Sequence, residues 1–115
     1  MLVVDDDVHV LEVVVLLLEA EGLAVLTAGD GLEALTIAHK EQPRLVLADI
    51  MMPRMDGVEL CLRLQGDPST SAMVVLLMSA APRADASGCG AAGGIQKPFD
   101  LEALAETVHR YLGTA

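Results

Sequence analysis

The sequence is nearly without aromatic residues: 115 positions hold no Trp, one Tyr and one Phe, although 53% of the chain is hydrophobic. Its core must therefore be made of Val, Leu, Ile, Met and Ala, interlocking as aliphatic side chains. Basic residues are scarce as well, 7 Lys and Arg against 17 Asp and Glu, for a formal charge of −10. That balance repels the phosphate backbone and no local Lys/Arg cluster offsets it, which argues against direct nucleic-acid binding. The two cysteines, Cys61 and Cys89, stand in no CxxC or Cys/His spacing, so neither a zinc site nor a disulfide framework is indicated. The longest apolar run, Val13 to Leu18, is far short of the roughly 20 residues that cross a bilayer. The amino terminus, "MLVVDDD", lacks a basic segment followed by an apolar stretch, so no secretory signal is visible and cytoplasm is the expected compartment.

What is present is a regular alternation. Short apolar runs at 1–4 ("MLVV"), 24–28 ("AVLTA"), 44–48 ("RLVLA") and 73–78 ("MVVLLM") read as strands, with a weaker fifth at 94–96 ("GIQ"). Between them, helical spacing runs from Val8 to Glu21, closed by Gly22, from Leu32 to Glu41 before Pro43, and from Val58 to Gln65 before Gly66. A last helix is expected over Leu101 to Leu112, with Asp100 as its N-cap and Gly113 beyond its end. Successive βα units with right-handed crossovers predict an α/β fold, a doubly wound five-stranded parallel sheet in the flavodoxin-like order 2-1-3-4-5. Residues 1–115 fit one domain, since single cores of about 100 to 150 residues are the commonest size.

In such a sheet, ligands bind beyond the carboxyl ends of the strands, where the strand order reverses. Asp5, Asp6 and Asp7 follow the first strand and Asp49 ends the third, so Asp5, Asp6 and Asp49 are expected to converge in one crevice. An isolated loop Asp reads as a solvated turn former. A pair and a single Asp at the ends of neighbouring strands instead repel one another until protons or a cation neutralise them. An all-oxygen set without His or Cys suits a hard ion such as Mg²⁺. Ser79 closes the fourth strand and Lys97 follows the fifth, adding a hydroxyl and an ammonium at the same rim. Such a cluster can hold a doubly charged phosphoryl oxyanion, with one carboxylate as nucleophile. No GxGxxG or GxxxxGK[ST] follows any strand, which argues against flavin or nucleotide binding.

With those pieces in place, the chain resembles the receiver domains of two-component response regulators, the chemotaxis regulator being their single-domain example. The matching pieces are "LVVDDD", "LVLADIMMPRMDGVEL", "VVLLMSA" and "QKPF", in family order and spanning nearly the whole chain. The resemblance implies that Asp49 is the phosphoryl acceptor. It implies that Asp5 and Asp6 hold Mg²⁺ together with Asp49 and the Met51 backbone carbonyl, that Ser79 senses the phosphoryl group and that Lys97 contacts it. The implied partners are a histidine kinase or phosphotransfer protein, and an output domain or target protein switched by the modification. The chain is then a signalling domain that promotes its own phosphorylation rather than a turnover enzyme. It is either a complete single-domain regulator or the receiver portion of a longer one.

Two departures stand out. The stretch from Ala80 to Gly94 has no Leu, Ile, Val, Met or aromatic residue, and the spacing from Ser79 to Lys97 is shorter than the family's. Gly88, Gly90, Gly93 and Gly94 each cost about 1 kcal/mol relative to Ala in a helix interior, so the helix between the fourth and fifth strands is expected to be short or irregular. Gly94 stands where the family carries a Tyr or Phe whose ring couples site to surface. These departures support a second reading, a degenerate receiver acting as a phosphorylation-independent interaction module. A phosphohydrolase would want an acid two residues after the nucleophile, where Met51 stands. Met51 and Ala81 cannot hydrogen-bond an attacking water, which predicts slow self-dephosphorylation. His9, His39 and His109 read as solvated surface residues. Met51, Met52 and Met55 suit either a contact surface or loop packing, and the apolar first helix is either buried all round or leaves a stripe for a partner or a second copy of the chain.

Overall fold

The computed structural model describes residues 1–79, 89–97 and 100–113. Five strands, β1 (Leu2–Val4), β2 (Leu26–Ala28), β3 (Leu45–Asp49), β4 (Val74–Ser79) and β5 (Gly93–Gln96), form one parallel sheet in the order β2-β1-β3-β4-β5. The described helices are α1 (Val8–Ala20), α2 (Gly31–Glu41), α3 (Gly57–Gly66) and α4 (Leu101–Leu112).

The uninterrupted apolar strands hide a period of two, because the sheet is covered on both faces. Leu2, Val4, Val46, Ala48, Val75 and Leu77 point to one side, against Ala34 and Ala38 of α2 and Leu60, Cys61 and Leu64 of α3. Val3, Leu45, Leu47, Leu76 and Met78 point to the other, against Val14 and Leu18 of α1 and Leu104 and Val108 of α4. β1 and β3 are buried along their whole lengths, which fixes their carboxyl ends relative to each other.

Each helix starts on an aspartate whose carboxylate accepts a free amide N–H of the first turn: Asp7, Asp30, Asp56 and Asp100. The expected Asp100 cap is in place, and Gly113 ends α4 with a left-handed φ of 77°. β2 starts at Leu26 rather than at 24 and lies at the sheet edge, paired with β1. The apolar α1 is not buried all round: Val14 and Leu18 are covered, whereas Val8, Val13 and Leu16 are 62%, 46% and 70% exposed.

The expectation of a short or irregular helix between β4 and β5 falls mostly on residues 80–88, outside the described residues. Further along the chain, Cys89 is buried beside Cys61, and β5 begins only at Gly93. Gly94 lies in the strand beside Leu77 with its outward face exposed, so no side chain covers that position of β5 among the described residues.

Candidate functional site

The register of the sheet assembles the site. β1 pairs with β3 so that Val4 stands opposite Ala48, which brings the following Asp5 level with Asp49. Asp5, Asp6 and Asp49 each offer a carboxylate oxygen, and these three oxygens lie within 4.8 Å of one another. Asp5 and Asp49 are buried, while Asp6 is exposed and faces the opening.

Lys97 enters from β5. Its backbone N–H donates to the Ser79 carbonyl at 2.8 Å, fixing the end of β5 on the end of β4. Its ammonium donates to Asp5 Oδ2 at 2.6 Å and lies 3.5 Å from Asp49 Oδ2. The other Asp5 oxygen, Oδ1, accepts the Asp7 N–H at 2.9 Å, so both Asp5 oxygens are held. Ser79 stands at the carboxyl end of β4, opposite Gln96 and one position beyond the partner of Asp49.

The electrostatics result from this packing. Burial first, then the charge of Asp5, pushes the Asp49 carboxyl above its ordinary value; Lys97 and the Met51 N–H, which donates to the carboxylate, pull the other way without cancelling the rise. Burial opposes the Lys97 ammonium, but the hydrogen bond and charge of Asp5, together with Asp49, outweigh it and hold Lys97 above its usual range. Among the described residues, three clustered carboxylates share one ammonium, so the crevice has room in its charge balance for a cation. The donors are all oxygen, which fits Mg²⁺ and disfavours softer metals.

Residues 1–109 match the response regulator receiver domain family. The chain belongs to that family. Among its relatives is the DNA-binding dual master transcriptional regulator RpaA of Synechocystis, 33% identical over 115 residues, an alignment that covers 96% of this chain and 48% of RpaA. Response regulator MprA of Mycobacterium tuberculosis is 39% identical over 105 residues, covering 90% of this chain and 46% of MprA. The receiver therefore spans about half the length of these relatives. Among solved structures, the receiver domain of NtrX from Brucella abortus superposes with a TM-score of 0.90 at 32% identity, covering 99% of this chain and 98% of that one. The chemotaxis response regulator CheY4 of Vibrio cholerae gives a TM-score of 0.90 at 30% identity, with 96% and 95% covered.

The receiver thus brings Asp5, Asp6, Asp49 and Lys97 into one cluster and sets Ser79 and Met51 at its rim. Met51 is 75% exposed, Met52 half-buried and Met55 buried, so the three methionines divide between surface and packing. His39 and His109 are not simply solvated: His39 sits 3.5 Å from Asp67 and His109 3.0 Å from Glu21. Sequence reasoning missed Arg54, which leaves the loop after β3 and pairs with Asp30 at the start of α2. The signal available was Asp30 itself, an acid immediately before a helix start.

Proposed function

We propose that this receiver accepts a phosphoryl group on Asp49 from the phosphohistidine of a partner kinase or phosphotransfer protein, with Mg²⁺ held by Asp5, Asp6, Asp49 and the Met51 backbone carbonyl. The observation that carries the reading is the convergence of three carboxylates and one ammonium at the ends of β1, β3 and β5. A carboxylate oxygen of Asp49 attacks phosphorus, the P–N bond to the partner's imidazole breaks, and an aspartyl phosphate forms. Bound in the crevice, Mg²⁺ supplies positive charge against the phosphoryl oxygens. Lys97, already 3.5 Å from Asp49, supplies a second positive group, and the Ser79 hydroxyl donates a hydrogen bond. Little covalent chemistry is asked of the protein; positioning and charge neutralisation do most of it.

The added charge then favours another conformation of the output face, a population shift. The apolar strip of α1 formed by exposed Val8 and Leu16 with half-buried Leu11 and Val15, next to the acidic rim, is a suitable contact surface for the phosphodonor. Met51 offers no strong hydrogen bond to an attacking water, so the aspartyl phosphate is long-lived. Its expected companion in this role, Ala81, lies outside the described residues.

The test is incubation with Mg²⁺ and acetyl phosphate, followed by intact mass measurement and peptide mapping. A phosphoryl adduct on the Asp49 peptide of the wild type, absent from Asp49→Asn, is expected. Equal labelling of the two proteins, or none of either together with no beryllofluoride binding, sinks the assignment.

A further inference from the structure

The segment Ala28–Asp30 touches both acid-bearing strand ends. On one side, the Ala28 carbonyl accepts the Asp5 N–H at 3.1 Å, tying down the residue that carries the innermost carboxylate. On the other, Asp30 reaches the loop after β3. Its Oδ1 caps α2 by accepting the Glu33 N–H at 2.9 Å, while its Oδ2 accepts from the Arg54 guanidinium. Asp30 is buried, although it lies in a loop.

Besides Arg54, the loop from Ile50 to Asp56 is held at its start by the Ile50 N–H, which donates to the Met78 carbonyl at 2.9 Å, and by the Met51 N–H on the Asp49 carboxylate. At its base, the Gly57 N–H donates to the Ile50 carbonyl at 2.9 Å; at its tip, the Met55 N–H turns back to the Pro53 carbonyl at 2.7 Å. Arg54 sits at a φ of 66°, a left-handed conformation that a non-glycine residue keeps only when its surroundings hold it there. Next to it, buried Met55 packs so closely on Gly31 that a Cβ there would lie 2.5 Å from the Met55 carbonyl oxygen. The ion pair and this contact clamp the loop to the first turn of α2.

We infer that Asp30 and Arg54 are positioning residues for the cation site: their ion pair sets the loop that carries Met51 relative to the Asp5 strand end, the Asp49 end of β3 being fixed by the sheet itself. The inference rests on the reading of Asp5, Asp6, Asp49 and Met51 given under Proposed function. Neither residue touches the cation. They act by fixing, through Ala28–Asp30, the spacing between two segments that must supply oxygens at the same centre. Arg54 first, then the α2 amide, holds the Asp30 carboxyl below its ordinary value, so the pair stays charged throughout the neutral range. Partners that orient metal ligands typically change affinity by about 10- to 100-fold when lost, and a contact one step removed belongs at the lower end of that range.

The experiment titrates Mg²⁺ calorimetrically into wild type, Asp30→Asn, Arg54→Gln, Arg54→Lys and the Asp30→Asn/Arg54→Gln double variant. Amide hydrogen exchange of the metal-free proteins runs alongside. Asn retains the helix cap and removes the charge, which separates the two roles of Asp30. Affinity is expected to fall roughly tenfold in Asp30→Asn and in Arg54→Gln, no further in the double variant, and to recover largely in Arg54→Lys. Exchange at Met55 and Gly57 should quicken in the same variants without Mg²⁺. Unchanged affinity in the single variants, additive losses, or no recovery with Lys overturns the inference while leaving the site reading intact. A wild type that takes up no Mg²⁺ overturns the site reading and the inference with it.

Discussion

One helix contains two glycines whose replacement by alanine should have opposite effects. α3 starts at Gly57 and ends at Gly66. A Cβ at Gly66 would meet nothing within 4 Å among the described residues, so Gly66→Ala should stabilise the fold by about 0.4–1 kcal/mol, chiefly by restricting the unfolded chain. A Cβ at Gly57 would run into the Asp49 carbonyl oxygen and lie 3.0 Å from both the Asp49 carbonyl carbon and Ile50 Cα. Those are backbone atoms and cannot rotate aside. Overpacking of that kind costs about 1–3 kcal/mol, and after the same entropic gain the net loss is about 1.3 kcal/mol at mid-range and at most about 2.6 kcal/mol. At about 4 °C per kcal/mol, Tm rises by about 2–4 °C in Gly66→Ala and falls by about 5 °C, and at most about 10 °C, in Gly57→Ala. Because the strained atoms belong to Asp49 itself, only Gly57→Ala should also lose Mg²⁺ affinity. Thermal unfolding followed by circular dichroism, with and without Mg²⁺, measures both effects. If Gly57→Ala is as stable as Gly66→Ala and binds Mg²⁺ as tightly as wild type, the close approach of α3 to the end of β3 does not hold the site, and the reasoning is wrong.

Three further outcomes are expected. The metal-free Asp49 carboxyl is held above its ordinary 3.8 by burial and by Asp5, so the folded state keeps this proton to higher pH than the unfolded state. The stability that this proton contributes is complete below about pH 4 and lost as pH rises through the raised value, so the urea midpoint of Asp49→Asn should gain on wild type as pH climbs. Saturating Mg²⁺ should reverse that order, adding about 2.7 kcal/mol to wild type at a concentration of 100 Kd and nothing to Asp49→Asn if the site is lost; parallel pH curves for the two proteins would count against the charge argument. The Cys61 thiol is pushed up to about 12 by burial and by Cys89, so iodoacetamide at pH 8 should label it only after unfolding; rapid native labelling would contradict this. Finally, a Cβ at Gly94 would meet only the Leu77 carbonyl oxygen, at 3.4 Å, among the described residues, so Gly94→Tyr should fold with Tm within a few degrees of wild type, and a large drop would show that this face of β5 is covered.

The strands and helices were legible because the rules that produce them are local. Apolar runs punctuated by glycine and proline, and an acid before each helix, mark elements whose ends fall within a few residues of their expected positions. Asp5, Asp49 and Lys97 were legible for a different reason: strand order converts position at a strand end into position in space. What stayed hidden depends on contacts between elements. Nothing in "MMPRMDG" states that Arg54 turns back to Asp30 or that Met55, unlike Met51, lies buried under Gly31. The pairing of His39 with Asp67 and of His109 with Glu21 joins residues far apart in sequence, which no periodicity reports.

The bond from Lys97 to Asp5 spans 92 positions, closing nearly the whole chain into a ring. A ring of that length carries a loop-closure cost that only a formed sheet repays, so this contact cannot seed folding. β1 and β3 can pair at the centre and set Asp5 beside Asp49 before β5, an edge strand that opens with two glycines, has docked. Any collapsed intermediate of that kind carries its acids without their ammonium, and its self-repulsion eases as salt rises. Because Lys97 follows directly on β5, docking that strand on the sheet and balancing the charge of the crevice are one structural event.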